Sequence, residues 1–162
     1  MPGTWFSPVA GRGGRRRTTL RTILAAAGAL AVLQAPAAQA AALHVEGPWL
    51  RLLIPSRPAA GYFVLHNDGD DAETLVSAES PACAELMLHR STHDGGQERM
   101  EMVQNVPVPA HGKVSFAPGG YHLMCMMPGA AVRRGNHVPV TFHFADGAAL
   151  EVMFVVKGPN GQ

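Results

Sequence analysis

Residues 83–103 read CAELMLHRSTHDGGQERMEMV, and this stretch decides the fold. Leu86 and Leu88 lie two apart, flanked by Glu85, Met87 and His89. That alternation has the two-residue period of a half-buried strand, which turns the leucines to a core and His89 to the other face. Asp94-Gly95-Gly96 has the composition of a hairpin turn, and 99–103 is the answering strand with Met100.

The same grammar runs outward in both directions. Short runs of β-formers at 43–53, 61–66 and 73–80 come before. They are separated by Pro55-Ser56-Arg57-Pro58, by Asn67-Asp68-Gly69-Asp70-Asp71 and by Pro81. Runs at 106–109, 113–116, 121–127, 138–144 and 149–156 come after, the last two forming a hairpin about Asp146-Gly147. The run at 106–109 contains Pro107 and Pro109, so it belongs at an edge, because proline cannot donate to a ladder. No long segment carries a helical period. The expected fold is all-β, one domain, a sandwich or barrel.

The N-terminus has a different character. Arg12, Arg15, Arg16, Arg17 and Arg21 are followed by an uncharged apolar run, 23–33, and by Ala38-Gln39-Ala40. This is the pattern of a secretory signal peptide, cleaved after Ala40 or Ala42. The run is short of the roughly twenty residues that a spanning helix needs. Arg16-Arg17-Thr18-Thr19-Leu20 is similar to a twin-arginine signal without its usual aromatic, which leaves the export route open. The expected organisation is a leader over 1–40, a β domain over 41–157 and a flexible tail over 158–162. Five of the thirteen Lys and Arg lie in the leader, so eight basic residues face twelve acidic ones in the mature part, a net charge of about −4. Nucleic-acid binding, which needs a basic stripe, is excluded.

Four residues suggest a metal site: His89, Met100, His122 and Met124. His122 and Met124 are two apart, the spacing that puts two ligands side by side on one strand face. Thioether sulfur is soft and uncharged and selects Cu(I) over zinc, magnesium or calcium. Imidazole adds donor strength and lets the set hold Cu(II) as well. A single methionine is ordinary core filler, and a strand histidine is ordinarily solvent-facing or hydrogen-bonded. The joint pattern is what carries the reading. Met102 shares a face with Met100 and Met126 with His122 and Met124, and His93, four residues past His89 in the turn, reads first as a surface histidine; whether Met102, Met126 or His93 assists stays open.

These residues form the pattern H-x10-M-x21-H-x-M, which resembles the signature of the periplasmic copper chaperones of the Cu(A) type. Gly119-Gly120-Tyr121-His122-Leu123-Met124 is similar to a segment of that family, and the likeness extends over 45–156 with Trp49, Gly61-Tyr62 and Asn67. The resemblance implies a cupredoxin-like Greek-key β-barrel or sandwich. It implies a periplasmic protein that is not an enzyme. It also implies Cu(I) held by the four named residues and delivered to the Cu(A) centre of cytochrome oxidase or to its assembly factors. The His- and Met-rich C-terminal tail of many relatives is missing, so one main site is expected.

Two other readings remain. A blue-copper electron-transfer protein needs a Cys thiolate between two histidines, and after Cys125 the next histidine is His137. A protein-interaction module of copper homeostasis would use exposed methionines. Cys125 reads as a small buried residue on the core face with Leu123. A bond to Cys83 is the alternative, opposed by regular alternation, which puts Cys83 on the His89 face unless Pro81 introduces a bulge.

Overall fold

The computed structural model describes residues 42–162, leaving aside the side chains of Asp94 and Glu98; the expected leader, 1–40, lies outside the described residues. Ten strands follow in order: β1 (Leu43–Arg51), β2 (Ala59–Asn67), β3 (Glu73–Glu79), β4 (Cys83–Asp94), β5 (Gln97–Met102), β6 (Val106–Val108), β7 (Gly112–Phe116), β8 (Tyr121–Pro128), β9 (His137–Phe144) and β10 (Ala149–Lys157). No helix occurs among the described residues.

The strands form one mixed sheet in the order β5-β4-β8-β7-β2-β1-β10-β9-β3-β6, with β8 also paired to β2. β6 is an edge, as Pro107 requires. The β1–β10 and β7–β8 pairs are parallel, and the others antiparallel. β3 lies against β4 and β6 against β7, so the sheet wraps round one core. Phe63 stands at its centre, stacked on Phe116 at 4.2 Å and tilted against Phe142 at 4.9 Å. Asn67 is buried but satisfied. Its amide donates to the carbonyls of Asp71 and Val108, and its Oδ1 accepts from Gly69 N–H, which fastens the 67–71 turn to β6.

Turn chemistry sets the two hairpin ends that matter for the site. Gly95 and Gly96 have φ of 58° and 84°, the paired positive values of a tight primed turn, which side chains resist. Before β8, Gly120 N–H donates to Ala117 O at 3.0 Å, with Pro118 and a left-handed Gly119 between them. That is the proline-glycine order of a type II turn. β2 then approaches β8 closely. A Cβ on Gly61 would sit 2.9 Å from Leu123 Cβ, an atom that β8 cannot move aside. Residues 158–162, expected as a flexible tail, carry a turn in which Gly158 N–H donates to Gln162 O at 2.7 Å.

The favoured reading of Cys125 as unpaired is corrected. Cys83 and Cys125 are joined, with Cα atoms 5.4 Å apart. In the ladder Cys125 stands opposite Leu86, and Cys83 opposite Pro128, which is why regular alternation argues against the bond. The backbone is not regular there. Met127 has φ 44°, and the ladder passes over Ala84 and Met127. The irregularity sits at Ala84 and Met127, where Ala84 and Glu85 are both exposed, rather than at Pro81.

The bond spans 42 residues of sequence, so chain entropy predicts that it contributes about 4 kcal/mol. Urea unfolding with and without reductant measures this, and an unchanged midpoint after complete reduction would contradict it.

Candidate metal centre

The β4–β8 ladder builds the site. Leu86 faces Cys125 and Leu88 faces Leu123 on the core side. On the other side Met87 faces Met124, and His89 faces His122. Alternation thus brings the two predicted histidines onto neighbouring strands, with ring centroids 5.7 Å apart and planes at 85°. Arg90 alternates away from them, its guanidinium 5.4 Å above the Tyr121 ring. β5 adds a third strand, where Met102 stands opposite His89 and Met100 opposite Ser91. The sequence placed His89 near a strand end. It lies instead well inside β4, because β4 continues to Asp94.

The ladder puts Met102 opposite His89, whereas a cleft beside the ladder takes in Met100 and leaves out both Met102 and His89. Met100, His122 and Met124 together line a cleft of about 220 Å³, with Ser91, Arg51 and Tyr62 among the other walls. Met102 does not line it. Both methionines are largely exposed, Met100 at 57 % and Met102 at 63 %, as unbranched chains on a bare edge strand are.

The two imidazoles are prepared differently. His122 is buried, and its Nδ1 lies 3.1 Å from Gly120 O. A carbonyl only accepts, so Nδ1 carries the proton and Nε2 keeps its lone pair, the tautomer a metal ligand needs. Gly120 belongs to the type II turn, so that turn orients the ring. His89 Nδ1 is buried without any hydrogen-bond partner. Burial, and secondarily the neighbouring His122, push the His89 pKa below its ordinary 6.5. A neutral imidazole with a dehydrated, unpartnered nitrogen is an open ligand position.

The other histidines have other roles. His44, His66, His111 and His143 each lie within 3.2 Å of a carboxylate oxygen. His44 also stacks on His66, with centroids 4.5 Å apart. Among the described residues no group of three or more His, Cys, Asp or Glu could hold a metal. Such a hard-ligand group is therefore missing there, and the side chains beside His89 and His122 on β4, β5 and β8 that remain as donors are thioethers. Both cysteines are consumed in the disulfide, which removes the thiolate that a blue-copper centre requires. Sequence reasoning missed Arg51, which lines the cleft with its Nε buried and unpartnered and its guanidinium 5.3 Å above Tyr62. Nothing in its local sequence marks it. The β1–β2 and β2–β8 pairings together bring it there, through Arg51 opposite Ala60 and Ala60 opposite Met124.

The LpqE-like family model matches residues 43–156. The chain belongs to the LpqE-like family. A relative in Leifsonia xyli subsp. xyli, named as a candidate lipoprotein, is 31 % identical over 152 residues, spanning 90 % of this chain and 91 % of that protein. Among solved structures, the Cu(I) form of DR1885 from Deinococcus radiodurans is 34 % identical, with a TM-score of 0.57 over 68 % of this chain and 75 % of that one. The copper-bound PCuAC domain from PmoF2 has a TM-score of 0.60 over 73 % of this chain and 94 % of its own, and at 20 % identity it speaks to the fold alone. The fold of this LpqE-like chain is the cupredoxin-like β fold.

The depressed His89 pKa has a signed consequence. Unfolding returns His89 to its ordinary value, so the unfolded chain binds the extra proton. The contribution of a neutral His89 is full above pH 6.5 and is lost as pH falls from there through the lower folded value. Urea unfolding of the metal-free protein at several pH values, against His89→Gln, tests this. The difference between the two proteins should change across that window, and a constant difference would contradict it.

Proposed function

We propose that this protein is a copper chaperone which binds one Cu(I) through His89, Met100, His122 and Met124. The observation that carries the reading is the pairing of His89 and His122 across β4 and β8. One ring is held in the ligand tautomer and the other has a buried nitrogen without a partner. Met100 and Met124 lining the His122 cleft supply the soft donors. The H-x10-M-x21-H-x-M spacing and the Cu(I) form of DR1885 support the same reading.

The chemistry suits a carrier rather than an enzyme. All four donors are neutral, and the thioethers are weak and partly exposed, so the ion is held without a thiolate's grip. The thioethers prefer Cu(I), and the imidazoles keep some hold on Cu(II). The cargo's destination is proposed as the Cu(A) centre of cytochrome oxidase or one of its assembly factors. Export to the periplasm is proposed from the leader over 1–40, which leaves 41–157 as the copper-binding domain. The Leifsonia relative's lipoprotein name suits export. This chain's two cysteines are bonded to each other, so neither offers a thiol to a lipid.

Anaerobic Cu(I) titration against a competing chelator tests the ligand set. His122→Ala, Met124→Leu and Met100→Leu should each weaken affinity by more than about tenfold, since even loss of a ligand's supporting partner costs about that much. Met102→Leu should leave it within about twofold, well under the roughly 1.4 kcal/mol that a factor of ten represents. Unchanged affinity in both His122→Ala and Met124→Leu would remove the site. A loss with Met102→Leu instead of Met100→Leu would move the fourth ligand to Met102.

A further inference from the structure

The loop between β1 and β2, residues 52–58, stands beside the proposed copper site and is apolar where a surface loop is ordinarily polar. Leu53 and Ile54 are 53 % and 51 % exposed. Two grooves of about 460 Å³ each flank the loop. One runs past Leu53, Ile54 and Pro58 to Met124, with Arg51 and Arg57 on its walls. The other runs past Leu52 and Pro55 to Arg133 and Arg134. No Asp or Glu lines either groove or the copper cleft. Among the described residues none of these four arginines forms an ion pair, and Arg51 Nε is buried without a hydrogen-bond partner.

The segregation of charge is strong. The part of the chain after residue 40 holds eight Lys and Arg against twelve Asp and Glu. Half of those cations surround this one loop, in a molecule that is negative as a whole. Exposed leucine and isoleucine ringed by unpaired guanidinium groups are a surface built for an occupant with apolar contacts and carboxylates. Met124 and Arg51 belong to both the first groove and the copper cleft, so the surface is continuous with the ligand set. An occupant seated there touches a thioether that holds the ion.

We propose that the 52–58 loop, with Arg51, Arg57, Arg133 and Arg134, is the docking surface for the copper-accepting protein, whose own metal site is bordered by carboxylates and an apolar projection. This rests on the copper-chaperone reading and adds to it where the acceptor sits. The arginines steer the encounter, Leu53 and Ile54 anchor it, and Met124 lies at the point where the ion changes hands. Copper moves as Cu(I) from four neutral donors to the acceptor's ligands, with no electron exchanged. A concave groove that ends on a metal ligand favours a protein over a lipid surface, which has no soft donor to offer.

Stopped-flow transfer of Cu(I) from the loaded protein to the soluble Cu(A) domain of a cytochrome oxidase tests the surface. Cu(I) affinity is measured on the same samples by chelator competition. Transfer from the unaltered protein should slow at least about tenfold between low and physiological salt, as steered encounters do. Arg57→Glu, Arg133→Glu and Ile54→Ser, all at exposed positions and none of them a proposed ligand, should slow it by a similar factor at low salt while affinity stays unchanged. Rates equal to the unaltered protein in all three variants would overturn the docking surface. So would the absence of transfer from the unaltered protein, or binding to phosphatidylglycerol vesicles that the same variants abolish without affecting transfer. Failure of the unaltered protein to bind Cu(I) is a separate result and overturns the chaperone reading itself.

Discussion

The register between β4 and β8 is the constraint on which the rest depends. Because side chains alternate, a slip of one residue would turn His89 and Met87 into the core and Leu88 out of it. The apolar pairs Leu86–Cys125 and Leu88–Leu123 forbid that slip, since they contribute to the core on which the fold rests. The register is also pinned near both ends. The disulfide holds one end, and at the other Ser91 N–H donates to Gly120 O, the same carbonyl that orients His122. Packing on one face thus sets the distance between the proposed ligands on the other.

Much of this was legible in the sequence because period two and turn chemistry are local. All ten strands follow from runs of β-formers and from punctuation such as Gly95-Gly96 and Pro118-Gly119, and the face assignments of His89, His122 and Met124 follow from alternation alone. What was not legible depends on pairing between distant strands. The break in the ladder beside the disulfide falls at a left-handed Met127, and nothing about a methionine announces that conformation. Met100 and Met102 have equal claims by alternation, and the cleft that distinguishes them is formed with β1, β2 and β8. Arg51 is invisible for the same reason. It is distant in sequence from every ligand and reaches the cleft only through the tertiary fold.

The electrostatics suit the proposed carrier role. Four neutral donors add no charge to attract a cation, and Arg51 adds a positive one beside them. Neither the cleft nor the two grooves has a carboxylate to offset the bound ion. In the proposed site, preference for Cu(I) would come from sulfur softness and retention from geometry fixed by the β4–β8 ladder.

X-ray absorption on the Cu(I)-loaded protein tests the central claim most directly, because it counts the neighbours of the ion by element. Two sulfur and two nitrogen neighbours are predicted for the unaltered protein, with one sulfur lost in Met124→Leu. A shell of nitrogen and oxygen alone, or a sulfur count that Met124→Leu leaves unchanged, would contradict the account.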